Sequence, residues 1–174
     1  MKLKEHIISL VFGLVSGTVF SQTTVPVTLP VVTLMDIEPS GNFTLNFTAP
    51  TEAGQAVTLP AANTTKWINY TSAIASGGLT RKITASINTL IAGVNIRVQA
   101  AAASGAGGGT LGTSSGLVTL STTAANIITG IGGAFTGNGA NNGHMLTISL
   151  TVSSYANLSA RTNTPVIITY TITE

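Results

Sequence analysis

The chain has 174 residues, 44% of them hydrophobic and only 7% charged, and contains no cysteine. With no disulfide available, stability has to come from packing and strand pairing. Beyond residue 21, Lys66, Arg81, Lys82, Arg97 and Arg161 balance Asp36, Glu38, Glu52 and Glu174 almost evenly, and only Arg81 and Lys82 are adjacent. Nucleic-acid binding needs clustered cations to displace counterions and is excluded.

Residues 1–21 read as a secretory signal peptide. Lys2 and Lys4 give a basic start, an apolar run follows to Phe20, and Val19-Phe20-Ser21 suits a small-residue cleavage site. The run is short for a bilayer span and no stop-transfer pattern follows, so no membrane span is expected after cleavage before Gln22. What remains, about 150 residues, suits one domain. Its expected place is outside the cell or on the cell surface.

Residues 23–36 (TTVPVTLPVVTLMD) open the mature chain with strict alternation. Val25, Val27, Leu29 and Val31 point one way, and Thr24, Pro26, Thr28 and Pro30 the other. Two prolines without N–H groups restrict such a strand to a sheet edge or to pairing on one side. Residues 38–42 (EPSGN) form a turn, and Phe43, Leu45 and Phe47 then alternate with polar residues as a predicted strand. Residues 55–59 predict a short strand stopped by Pro60. Residues 65–71 carry Trp67 and Tyr70 on opposite strand faces, and core packing is the expected role of Trp67.

Residues 79–88 and 94–100 predict two further strands, with Ile83, Ala85 and Ile87 inward in one and Val94, Ile96 and Val98 inward in the other. Residues 101–116 read as an Ala/Gly/Ser/Thr loop without core-forming side chains. Residues 117–121 predict a strand. Residues 123–131 suit a helical turn or a strand equally, and residues 132–143 read as a second glycine- and asparagine-rich loop. Residues 145–153 predict a strand, residues 155–161 a short helical turn, and residues 165–173 a closing strand. There Val166, Ile168, Tyr170 and Ile172 share one face. About eight to ten short strands with turn signals between them predict an all-β, antiparallel, immunoglobulin-like β-sandwich with an extended N-terminal strand.

No motif carries a reaction. Beyond residue 21 the chain has one histidine, His144, and one aspartate, Asp36, and no strand-turn-helix nucleophile elbow supplies a serine. His144, after Asn142-Gly143, reads as solvated or backbone-bonded. A zinc or copper site has no ligand set. Asp36 and Glu38 face one side of a strand, where a solvated strand end is a simpler account than a carboxylate pair for glycoside hydrolysis or calcium. Gly107, Gly109 and Gly112 match the dinucleotide spacing but lack the helix that must follow. No enzyme, cofactor or metal is expected.

The alternating residues at the two ends resemble donor-strand-type fimbrial, pilin-like subunits, in which each immunoglobulin-like subunit lacks a strand and the next subunit's N-terminal extension supplies it. That resemblance implies residues 22–36 as a donor strand and residues 37–174 as the sandwich domain. It implies Val25, Val27, Leu29 and Val31 as plugs, and Val166, Ile168, Tyr170 and Ile172 as the end strand beside the groove. Self-association into a homopolymer is the expected partnership. The plainer reading pairs residues 25–31 within their own sheet. The alternative function is a monomeric carbohydrate-binding module meeting surface glycans through Trp67 or Tyr70 and the two glycine-rich loops. An ice- or surface-binding protein presenting a threonine row at Thr169, Thr171 and Thr173 ranks last.

Overall fold

Alternation of β-branched and polar residues draws most of this chain into strands. The computed structural model describes residues 21–174, and the leader expected over residues 1–21 lies outside them but for Ser21. Nine strands form among the described residues: β1 (Val32–Glu38), β2 (Asn63–Ala73), β3 (Arg81–Ile87), β4 (Val94–Ala100), β5 (Gly108–Ser114), β6 (Leu117–Thr119), β7 (Ala125–Phe135), β8 (His144–Val152) and β9 (Ile168–Thr173). All of their pairings are antiparallel.

The architecture turns on β2. Residues Asn63 to Ile68 pair with β8, whereas Thr71 and Ser72 pair with β7, and the opposite edge pairs with β1. The continuous nine-stranded sheet therefore folds over at β2 into two layers, β6-β4-β8-β2-β1 and β5-β7-β3-β9. This is the expected all-β antiparallel sandwich. Ile68, Tyr70, Val98, Leu146 and Ile148 from the first layer meet Ile83, Ala85, Ile127, Ile128 and Ile131 from the second, all buried. Each buried aliphatic side chain contributes roughly 1.5–3 kcal/mol.

Several segments depart from their sequence-based expectation. Of residues 123–131, open in sequence between a helical turn and a strand, those from Ala125 onward are strand. The β3–β7 register jumps so that Ile83 opposes Ile128 and Thr84 opposes Asn126, leaving Ile127 as an extra, bulged residue. The bulge lets both Ile127 and Ile128 point inward, which breaks the period of two.

The loop expected over residues 101–116 contains β5, and the loop expected over residues 132–143 begins inside β7. These strands are glycine-paired because they approach closely. At Gly112, with φ +76°, a Cβ would sit 2.7 Å from the Thr129 carbonyl oxygen.

Residues 43–47 and 55–59 form no ladder, and only Thr48 and Thr58 meet as an isolated bridge. Phe43, Leu45 and Phe47 are nonetheless half-buried while Thr44 and Asn46 are exposed. Side-chain alternation is present without a main-chain partner.

The N-terminal strand is shorter than expected as well. Only Val32 onward pairs, with Val32 opposite Ala73 and Glu38 opposite Trp67. Residues 22–31 make no ladder, and Val25, Val27, Leu29 and Val31 are 73%, 86%, 80% and 59% exposed. The apolar arm thus ends at residue 31 rather than 36, because Met35 and Ile37 pack against the core.

Deleting residues 22–31 is expected to change unfolding free energy by no more than about 0.5 kcal/mol, since nothing in the body leans on them. Ile128→Ala is expected to cost about 2–5 kcal/mol. Urea unfolding of the three chains followed by tryptophan fluorescence checks both.

Candidate functional site

The layers do not close along one side. Between the edge of β9 and residues 43–47 runs an open groove of about 1170 Å³. Phe43, Leu45 and Phe47 form one wall, Val166, Ile168 and Tyr170 the other, and Ile96, Ile148 and Leu150 lie along it from β4 and β8. Among the described residues β9 pairs with β3 alone, so its second edge has main-chain groups without a strand partner there.

Lys66 holds the first wall in place. Its side chain is buried, and its ammonium donates to the carbonyl oxygens of Pro39 (2.5 Å) and Gly41 (2.7 Å). This ties the turn before residues 43–47 down onto β2. Arg81 does the equivalent at the base of the arm. It is buried, donates to the carbonyl of Val32 and to Ser72 Oγ (2.9 Å), and lies 3.8 Å from the Glu174 carboxylate. The point where the arm leaves the body is therefore held to β2 and to the end of β9.

Of the residues singled out in the sequence, Ile168 and Tyr170 of the end strand, with Val166 just before it, do line the groove. Ile172, near the strand's end, is half-buried against the core. Val25, Val27, Leu29 and Val31 stand outside it, exposed on the arm. The opposing wall was the missed part. Its signal is the Phe43, Leu45, Phe47 alternation, which an ordinary paired strand would show equally.

Trp67 and Tyr70 exchange their expected roles. Tyr70 is buried at 3% exposure while Trp67 is half-exposed on the other face of β2. The reason is polar. The Tyr70 hydroxyl donates to the Leu111 carbonyl and lies 3.1 Å from His144 Nε2. The His144 ring stacks on it at 5.9 Å, and Nδ1 lies 2.8 Å from the Ala101 carbonyl oxygen.

His144 is fully buried, with its ring nitrogens directed at main-chain carbonyls, and it joins β2, β5, β8 and the turn after β4. Its position is that of a clamp. Exposed Phe135 (53%) lies beside Leu34 and Asn138 in a shallow cleft of about 430 Å³, an aromatic without a signal in the glycine-rich stretch around it.

Asp36 is exposed and accepts from the Ile37 N–H at 2.7 Å. Among the described residues no group of three or more acidic or histidine side chains is placed to hold a metal ion. No described helix is long and apolar enough to cross a membrane. No family model matches the chain, and neither a curated protein nor a solved structure matches it.

Two outcomes follow from this geometry. Lys66→Met leaves the Pro39 and Gly41 carbonyls without their donor and is expected to destabilise the body by about 1–3 kcal/mol. It should also raise hydrogen exchange selectively at the paired amides of Thr48 and Thr58 beside this wall. The second outcome concerns pH. Burial pushes the phenols of Tyr70 and Tyr170 above their ordinary value. The folded chain keeps both protons where the unfolded chain releases them, from about pH 10 upward. Stability should hold below that range and fall as pH rises through it, and Tyr170→Phe should make the fall shallower. Urea midpoints at pH 8 and pH 11 check this.

Proposed function

We infer that the protein is a secreted, non-enzymatic structural or adhesive subunit of an extracellular fibre, assembled when the N-terminal arm of one copy fills the groove of the next. One observation carries the reading: a chain with an unpaired apolar arm and an unfilled apolar groove on the same body. Four aliphatic side chains on the arm are more than half exposed. The groove beside β9 offers apolar walls and a free strand edge.

Arm and groove match in length and polarity. About ten arm residues span roughly 33 Å when extended, ample for a strand the length of β9. No charged residue occurs between residues 22 and 35. Burying the four aliphatic side chains contributes roughly 6–12 kcal/mol before ordering costs. Strand addition supplies main-chain hydrogen bonds as well, and covers an edge that would otherwise template aggregation.

The alternative, a monomeric glycan-binding module, has less support. The Tyr70 hydroxyl is committed to internal partners, and Trp67 is only half exposed. The shallow cleft at Phe135 is the best place for it.

Sedimentation velocity on residues 22–174 tests the fibre reading. The wild-type chain is expected to form large particles. Val27→Asp with Leu29→Asp should leave a folded monomer, because burying two unpaired carboxylates is prohibitive. A wild-type chain that stays monomeric at high concentration, or a double variant that assembles equally well, rejects it.

A further inference from the structure

The two arm prolines have a consequence for how the groove is filled. Along a strand, the N–H and C=O of one residue address one lateral neighbour, and those of the next residue address the other. Val25, Val27, Leu29 and Val31 therefore present one lateral edge of the arm with every donor in place. The opposite edge belongs to Thr24, Pro26, Thr28 and Pro30 and lacks the N–H at both prolines.

The free edge of β9 has a definite parity too. The Asn88 N–H donates to the Ile167 carbonyl at 3.1 Å, and the Ile167 N–H donates to Asn88 Oδ1 at 2.8 Å. Ile167 thus addresses β3, and so do Thr169, Thr171 and Thr173 in the continuing register. Val166, Ile168, Tyr170 and Ile172 address the free side. These same residues are half-buried while their neighbours are exposed, so their side chains point inward.

An arm strand with its aliphatic residues inward can meet this edge in two ways. In the antiparallel arrangement, inward residues of both strands stand opposite one another as hydrogen-bonded pairs. The complete edge of the arm then faces β9. In the parallel arrangement, with the same side chains inward, the proline edge would face β9 and two donors would be missing.

Resting on the fibre-subunit reading, we propose that the arm of a second copy docks antiparallel to β9 through its complete edge, with the proline edge turned toward residues 43–47. The seam is laddered on one side and held by side-chain packing on the other. Prolines at residues 26 and 30 reject the reversed orientation and stop the wall side from recruiting further strands.

The occupant is a second copy and not the same chain. Strand β1 starts at Val32, held by Arg81, and runs past Ile37, which lines the groove, to Glu38. For the arm to enter its own groove the chain would have to reverse at Leu29-Pro30-Val31, which has no Gly, Asn, Asp or Ser to make the turn. Leu29, as the residue before Pro30, is also held to extended conformations, and β-branched Val31 disfavours a positive φ.

Synthetic peptides of residues 22–32 test the pairing. Each competes against self-association of the whole chain 22–174, read by sedimentation velocity, with direct binding read by fluorescence anisotropy. The unmodified peptide should bind and shorten the particles. N-methylation at Val27 removes a donor from the complete edge and should weaken binding about tenfold or more. N-methylation at Thr28 should change it less than about twofold, within the range for a group without a partner. Equal loss at both positions, or greater loss at Thr28, overturns the one-sided antiparallel seam while leaving assembly intact. An assembling chain with which the unmodified peptide does not compete overturns it too. A chain that neither assembles nor binds the peptide removes the fibre reading and this proposal together.

Discussion

Main-chain N–H and C=O groups at a strand edge are satisfied by another strand or by water, and apolar side chains beneath that edge need a cover of their own. In this protein both demands meet at the free side of β9. The sandwich buries Ile83, Ala85, Ile127 and Ile128 well, yet leaves Ile168 and Tyr170 only half covered beside an open groove. The arm carries the complementary deficit, with apolar side chains and unpaired backbone outside any sheet. Each surplus is of the type that relieves the other.

The body around this groove holds together without disulfides, and buried basic side chains take over part of that task. Arg81 fastens the carbonyl at the base of the arm, Lys66 fastens the turn before residues 43–47, and His144 lies against carbonyls after β4 and within β5. Each brings donors to main-chain segments that a regular ladder does not serve at that point. The bonds from the Arg81 guanidinium and the Lys66 ammonium to carbonyl oxygens are charge-assisted and stronger than neutral ones. A chain with few charges has placed three of its basic side chains inside.

Most strands were legible because one face is buried and one is wet. The pattern at Val94, Ile96 and Val98 gave β4 with its boundaries, and Ile168, Tyr170 and Ile172 gave the inward face of β9. Strands β5 and β7 were obscured by glycine, which carries no side-chain periodicity and is selected there for close approach of two backbones. The groove was half legible. The Phe43, Leu45, Phe47 alternation marked a buried face correctly, but alternation reports which side chains are covered and is silent on whether the backbone has a partner.

The sequence by itself determined the all-β class, the absence of disulfides, the inward face of most strands and the donor-poor edge of the arm. These are consequences of residue chemistry and a period of two. Only the tertiary structure decided that pairing begins at Val32, that Tyr70 and not Trp67 enters the core, and that residues 43–47 and β9 face each other across an unfilled groove. Those outcomes depend on which distant segments become neighbours, which local periodicity does not encode. The Tyr70 position, for instance, was settled by the Leu111 carbonyl and His144, residues 41 and 74 positions away.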